Sequence, residues 1–347
     1  MSVLVTGGAG YIGAHVLRSL AERGRDAVVV DDLSSGDARR IGDTPLYELD
    51  LSDAAVIPTL VEIMAAHDVD AVIHFAARKR VDESVERPAW YFRQNVGSLA
   101  VVLDAMEAAR VHRLVFSSSA AVYGATDGRL ISETDRTQPV NPYGATKLIG
   151  EQLIEAAAKA FPLRAASLRY FNVAGAGWPD LGDNAALNLV PMVFERIDAG
   201  ASPIIFGADY PTPDGTCIRD FVHVSDLADA HLAALAHLQS MRRGHLALNV
   251  GTGTGSSVRQ VIEAIIRVAS FDGGVEVRKR RAGDPPAVVA DPSRIRSLTG
   301  WSARFGLDDI VRSAWTSHRQ LSVSRSTSGS GEQAPGSSAP GNDDRRA

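Results

Sequence analysis

The chain has 347 residues, 45% of them apolar, and 36 basic against 41 acidic side chains give a net charge of −5. That length suits two intimate domains or one large α/β unit with a sizeable core, and the mildly acidic balance leaves no electrostatic footprint for nucleic acid or an anionic membrane surface. Cys217 is the one cysteine, which excludes an intrachain disulfide and a thiolate metal cluster; small-molecule partners, no metal and a reducing cytoplasm are the expectation.

The first element is the buried strand "SVLVT", with neither a basic segment nor a signal-type apolar stretch before it. No later run is long enough to span a bilayer, so a soluble protein is expected. "VTGGAGYIG" follows, with Gly7, Gly8, Gly10 and Gly13 between the strand and a helix whose apolar positions are Ile12, Val16, Leu17 and Leu20. Side chains at those glycines would bar a phosphate from the helix N-terminus, whose free N–H groups and dipole attract anions. The next strand, "DAVVVDD", carries Asp31, an acid at the spacing that accepts both hydroxyls of an adenosine ribose and repels a 2′-phosphate. NAD is therefore preferred over NADP, although Arg39 and Arg40 lie nearby, and Asp32 reads as a solvated neighbour.

Further short runs, "PLYELDL", "DAVIHFAA", "RLVFSSS" and "AASLRYFN", alternate with segments long enough for crossover helices. Runs that need not alternate with polar residues fit strands covered on both faces, which predicts a doubly wound parallel sheet of the Rossmann type over residues 1–172. Gly, Pro and Asp-rich loops then mark a smaller α/β domain over 173–320. The helix pattern "FVHVSDLADAHLAALAHL" and the strand "ALNVG" suggest that the chain rejoins the first domain near 221–251. From Ser322 to Ala347 it is Ser, Gly, Pro and charge, which predicts a disordered tail.

Within this frame "SSSAAVYG" ends a strand with Ser117, Ser118 and Ser119, and "NPYGATKLIGEQLIEAAAKAF" opens a helix at its proline. Tyr143 and Lys147, four residues apart, share one face of that helix. A free phenol titrates near pH ~10, and a neighbouring ammonium lowers that value. An oxidised nicotinamide would lower it further and make Tyr143 a base near neutral pH. A Tyr with a Lys four residues on is by itself most often a surface pair; the glycine turn, the serine run and the order of the three along the chain favour a catalytic pair.

Taken together, "VTGGAGYIG", "VIHFAA", "SSSAAVYG", "YGATK", "RYFNVAGA", "DYPTPDGTCIRDFVHVSDLA" and "RRAGDPPAVVAD" resemble the extended short-chain dehydrogenase/reductase family, closest to its UDP-galactose (UDP-glucose) 4-epimerase branch. The likeness covers the chain to about His318. It implies an NAD-dependent inversion at C4 of a UDP-hexose through a 4-keto sugar. Ser119 would hydrogen-bond the sugar 4-hydroxyl, Tyr143 would be the base, and Lys147 would bind the nicotinamide ribose and tune the tyrosine. For the cofactor it implies Gly7, Gly10, Tyr11, Ile12 and Gly13 at the pyrophosphate and Asp31 on the ribose. Asp50 and Leu51 would lie near adenine, with Phe75, Ala76, Lys79, Asn95 and Phe171 along the rest. His74 reads as a strand-end residue rather than a catalyst.

For the UDP-sugar the resemblance implies Arg219 and Arg281 on the diphosphate and Asp284 on the uridine ribose, with Asn172, Asn188 and Leu189 lining the substrate; the other residues of "RKRR" read as a solvated basic face. Val288 falls where some members carry a tyrosine against the sugar C2 substituent, which predicts room for an N-acetyl group and turnover of UDP-GalNAc and UDP-GlcNAc. Related dehydratases place an acid beside the serine; here those positions are Ala120 and Ala121, so hydride return is the easy continuation. A UDP-pentose or UDP-uronic acid epimerase and a non-catalytic NAD sensor are the alternatives, and the sensor reading fits poorly with an intact Tyr143 and Lys147. Apolar helices at 88–111 and 141–161 suit a homodimer, a feature common in the family, and suit plain packing on the sheet nearly as well.

Overall fold

The computed structural model describes residues 1–125, 128–183, 185, 187–281 and 284–328. In chain order the first half holds β1 (Ser2–Thr6), α1 (Tyr11–Glu22), β2 (Ala27–Asp31), β3 (Leu46–Glu48), α2 (Ile57–Ala66), β4 (Val69–His74), α3 (Val81–Glu86), α4 (Pro88–Phe92), α5 (Ser98–Ala108), β5 (Arg113–Ser117), β6 (Leu130–Ile131), α6 (Pro142–Ala160) and β7 (Arg164–Tyr170). The second half holds β8 (Asn172–Ala174), α7 (Leu189–Asp198), β9 (Ile204–Phe206), β10 (Ile218–His223), α8 (Val224–His237), β11 (Gly244–Val250), β12 (Gly255–Ser257), α9 (Val258–Ala269), β13 (Glu276–Arg278), β14 (Ala287–Ala290), α10 (Ser293–Thr299) and α11 (Leu307–Ser328).

Seven parallel strands form the main sheet in the order β11-β7-β5-β4-β1-β2-β3. Strand β1 is buried along its whole length because both faces of the sheet are covered. Val3, Val5, Val29, Val115 and Leu168 meet Val16, Leu17 and Leu20 of α1 and Leu227, Ala228 and Ala234 of α8 on one face. Leu4, Val28, Val72 and Leu114 meet Leu60 and Met64 of α2, Leu99, Val102 and Met106 of α5 and Ile154 of α6 on the other. Alternate residues of each strand thus serve opposite layers, the geometry that a period of two imposes.

A second sheet, β12-β10-β14-β6 with β8 paired to β10, lies against α7, α9 and α11, whose apolar faces share one cluster that includes Val193, Phe194, Ile262, Ile265, Ile310 and Val311. Strands β9 and β13 form a small separate pair. The chain rejoins the large sheet at Val224, where α8 begins, and completes it with β11; β10 just before it belongs to the second sheet. Helix α9 starts on a capping box between Ser257 and Gln260, and α6 starts on Asn141, whose side chain accepts the Gly144 N–H, with Pro142 at its first position.

The disorder expected from Ser322 is corrected over its first residues: α11 continues to Ser328. Leu307, Ile310, Val311, Ala314 and Trp315 anchor the helix in the second core, so its backbone hydrogen bonding carries on past the last apolar contact. Residues 329–347 lie outside the described residues.

Candidate active site

Strand order turns back on itself between β1 and β4, and a parallel sheet opens a crevice at the carboxyl ends of its strands at such a point. A cleft of about 400 Å³ lies there. Of the residues anticipated for the cofactor, Gly7, Gly10, Tyr11, Ile12, Gly13, Asp31, Asp50, Leu51, Phe75, Ala76, Lys79, Tyr143 and Lys147 line it. Gly7 has φ +69°, and a Cβ there would sit 2.7 Å from the Ala76 nitrogen, so the turns after β1 and β4 touch through bare backbone. A Cβ at Gly13 would collide with the Gly7 carbonyl. Helix α1 begins on Gly10 with no side chain capping it, which leaves its N-terminus open to an anion.

Asp31 closes the far side of this turn. Its carboxylate accepts the N–H groups of Ala9 at 3.0 Å and Leu33 at 2.9 Å, and Gly36 leaves room beside it, because a Cβ at 36 would stand 2.9 Å from Oδ1. Burial raises the Asp31 pKa and the two N–H bonds lower it in part. A glycine cradle, an uncapped helix and a fixed carboxylate are the donor and acceptor set that a dinucleotide's diphosphate and ribose require, so these residues fit NAD.

Other anticipated contacts act at one remove. The Tyr11 hydroxyl donates to the Gly175 carbonyl at 2.6 Å, tying the glycine turn to the loop after β8. Asn95 sits in a π-helical turn, Arg93–Gly97, and is buried; its side chain accepts the Arg78 N–H at 2.7 Å and donates to the Arg78 carbonyl and to Thr146 Oγ1, both at 3.0 Å, which fixes a cleft wall. Phe171 packs with Val122, Tyr123, Ile131 and Ala290 outside the cleft. His74 is buried with Nδ1 2.7 Å from Thr6 Oγ1, and burial, then Lys147, lowers its pKa to about 3.

The serine run meets α6 at the cleft's inner end. Ser119 caps the short turn Ala120–Val122, its hydroxyl accepts the Ala121 N–H at 3.2 Å, and it lies close enough to the Tyr143 phenol to oppose the rise in that group's pKa. Lys147 is buried, donates to the Ser117 carbonyl at 2.8 Å and lies 5.9 Å from the Tyr143 ring centre. Burial lowers the lysine to about 7. The expected lowering of Tyr143 by Lys147 is corrected here. Burial raises the phenol and the neighbouring Ser119 lowers it in part, while burial also lowers the lysine.

The anticipated substrate residues lie on the second sheet and its loops. Arg219 on β10 stands beside Val288 on β14, donates to the carbonyls of Ile218 and Pro285 at 2.8 and 2.9 Å, and pairs with Asp284 at 3.4 Å. Val288 borders the cluster around Tyr123 and Phe171. Asn172 pairs in register with Phe221 and is exposed; Asn188 caps α7 and donates to Asp183 at 2.8 Å, and Leu189 is the first residue of that helix. The Arg281 guanidinium lies over the Phe206 ring at 4.2 Å, away from Arg219's partners, so the two arginines are not joined here.

Sequence reasoning passed over Arg78, Gln94, Trp90 and Tyr170, which also line the cleft. Arg78 joins Asp32 at 2.5 Å and Gln94 at 2.9 Å, and Tyr170 meets the Ser117 hydroxyl at 2.5 Å. Arg78 stood in "AARKR" next to the lysine that the resemblance picked out, and Asp32 is its ion-pair partner rather than a solvated neighbour.

The family model described as the NAD dependent epimerase/dehydratase family matches residues 3–251. A UDP-glucose 4-epimerase of Azospirillum brasilense is 46% identical over 343 residues, which is 97% of this chain and 96% of that protein. A UDP-glucose 4-epimerase of Stenotrophomonas maltophila, solved with bound NAD and formylated UDP-arabinopyranose, superposes with a TM-score of 0.87 at 41% identity, covering 93% of this chain and 99% of that one. The UDP-Glc/GlcNAc 4-epimerase of Campylobacter jejuni gives a TM-score of 0.81 at 38% identity, over 92% and 99%.

The buried lysine has a consequence for stability. Its pKa is about 7 in the fold against 10.5 in a free side chain, so between these values the unfolded chain binds the extra proton and stability rises with pH. Thermal unfolding of the ligand-free protein is expected to shift upward from pH about 7 to about 9, and Lys147→Met is expected to flatten that rise. An unchanged slope in the variant would place the effect elsewhere.

Proposed function

The chain belongs to the NAD-dependent epimerase/dehydratase family, and on that footing we propose that it is an NAD-dependent 4-epimerase of UDP-hexoses, interconverting UDP-galactose and UDP-glucose. The observation that carries this reading is that Tyr143 and Lys147, with Ser119 next to the tyrosine just behind the lining, stand in the same cleft as the glycine turn and Asp31. Gly7, Gly10, Gly13 and the start of α1 would hold the cofactor's diphosphate and Asp31 its adenosine ribose. Bound NAD supplies a hydride acceptor and donor beside C4.

Tyr143 takes the proton of the sugar 4-hydroxyl and later returns it. Ser119, next to Tyr143, orients that oxygen. Because burial raises the tyrosine, the protein alone does not hold it as phenolate; a cation next to it, Lys147 on protonation or the oxidised nicotinamide ring, is what favours the charged form.

Arg219 on β10 of the second sheet and Asp284 and Arg281 from the segment between β13 and β14 are the groups offered to the UDP end, apart from the proton-transfer groups on α6 and after β5. A grip on the nucleotide at one sheet and chemistry at another leaves the hexose free to present either face. Ala120 and Ala121 form the capped turn after Ser119 and bring no carboxylate to the leaving-group position. Valine at 288 supports acceptance of N-acetylated sugars, and the Campylobacter jejuni relative is named for both sugar types. A cytoplasmic homodimer completes the reading: among the described residues no helix is long and apolar enough to cross a membrane, and Ile149 on α6 with Val81 and Val85 on α3 leave apolar surface exposed.

Tyr143→Phe is expected to retain bound NAD and to lower UDP-galactose turnover by roughly 10²- to 10⁴-fold, measured by product formation without added cofactor. A variant as fast as the parent would refute the assignment. Val288→Tyr is expected to abolish turnover of UDP-GalNAc while leaving that of UDP-galactose within about threefold, since added volume meets only the larger substituent. Equal loss on both sugars would mean that Val288 does not border the C2 group.

A further inference from the structure

Tyr143, Lys147 and Glu151 follow one another at four-residue intervals along α6 and so form one stripe. Three consecutive serines at the end of β5 face it. The Ser117 carbonyl accepts from Lys147 at 2.8 Å, the Ser118 hydroxyl donates to Glu151 Oε1 at 2.5 Å, and Ser119 stands next to Tyr143. Two of these rungs belong to the reaction centre. The third is buried behind it: Ser118 is 0% exposed and Glu151 4%.

Glu151 is itself held in place. Arg169 on β7, also buried, donates to both carboxylate oxygens, Nε to Oε1 at 2.9 Å and Nη2 to Oε2 at 2.5 Å. The same guanidinium donates to the Tyr123 hydroxyl at 3.0 Å, and Tyr123 donates to Asn249 Oδ1 at 2.7 Å. Asn249 donates to the Ile131 carbonyl at 2.7 Å. Strands β5, β7, β11 and β6 are thereby tied to one carboxylate two helical turns from the catalytic tyrosine. A bidentate buried pair has little orientational freedom, and a carboxylate so fixed gives the Ser118 hydroxyl a rigid acceptor.

We propose that Glu151 and Ser118 are positioning residues for the epimerase reaction, setting the register of the serine run against α6 so that Ser119 and Tyr143 address the same sugar oxygen. The proposal rests on the 4-epimerase reading above. Neither residue is among those that line the cleft. The work falls on Ser118 because it is the link between the fixed carboxylate and the strand end that carries Ser119. A strand end that drifts by an ångström misaligns Ser119 against Tyr143 and the sugar oxygen and costs rate rather than binding.

Two variants separate positioning from stability. Ser118→Ala keeps the Glu151–Arg169 pair and cuts only its link to β5. Glu151→Gln keeps a carbonyl oxygen for Ser118 but turns an amide toward the arginine, leaving a buried guanidinium without its counter-charge. Turnover of UDP-galactose and UDP-glucose, the rate of nicotinamide reduction in a single turnover read by absorbance, and thermal unfolding are measured on the NAD-loaded protein.

Ser118→Ala is expected to lose roughly 10- to 100-fold in kcat and in the reduction rate, with KM within about twofold and with unfolding still well above the assay temperature. Glu151→Gln is expected to unfold at lower temperature yet to keep more of kcat per folded molecule than Ser118→Ala does. A Ser118→Ala protein with parental kcat, or one whose loss lies in KM alone, overturns the proposal. Absence of epimerisation in the parent would instead count against the functional reading itself.

Discussion

Parallel strands all deliver their carboxyl ends to one edge of a sheet, and only where neighbouring connections depart in opposite directions does that edge open. In this molecule the opening falls between β1 and β4. Every later feature of the site answers to that break. The turns after the two strands approach closely enough that Gly7 tolerates no side chain against Ala76, and α1 starts with its dipole aimed into the gap. The serine run at the end of β5 lies one strand further along, so oxidant site and proton site are neighbours by topology before any side chain is chosen.

Electrostatics divides the labour at the inner end of the cleft. A half-buried tyrosine beside a buried lysine is not, by that fact, an activated base: desolvation lowers the lysine and raises the phenol together. In the reading proposed above, the fold supplies geometry, and a cation beside Tyr143, protonated Lys147 or the oxidised cofactor, completes the base. Among the described residues the carboxylate bonded to the serine run is Glu151, which is buried behind the cleft and held by Arg169. Together with alanine at 120 and 121, this leaves elimination without an acid and makes return of the hydride the open route.

Much of this was legible in the sequence because it depends on local spacing. Glycines between a strand and a helix, an acid at the end of the next strand, and a tyrosine four residues before a lysine are patterns that backbone geometry forces to be contiguous. What spacing could not reveal was partnership across the sheet. Arg169 sits in "SLRYFN" as an unremarked basic residue, and its bond to Glu151 exists only once β7 lies beneath α6. Asp32 looked solvated until Arg78, forty-six positions on, turned back to it. The acidity expected for Tyr143 failed for a related reason, since helical spacing gives proximity but says nothing of how far burial has already shifted both groups. The end of α11 was misjudged because a polar composition does not stop a helix whose earlier turns are already anchored in a core.

The central claim is that one hydride leaves C4 and comes back to the same carbon, with Tyr143 carrying the proton both ways. UDP-galactose labelled with deuterium at C4, incubated with the NAD-loaded protein in ordinary water and no added cofactor, tests it directly. The account predicts UDP-glucose that keeps the label at C4. Product whose C4 label has been exchanged for solvent hydrogen would contradict it.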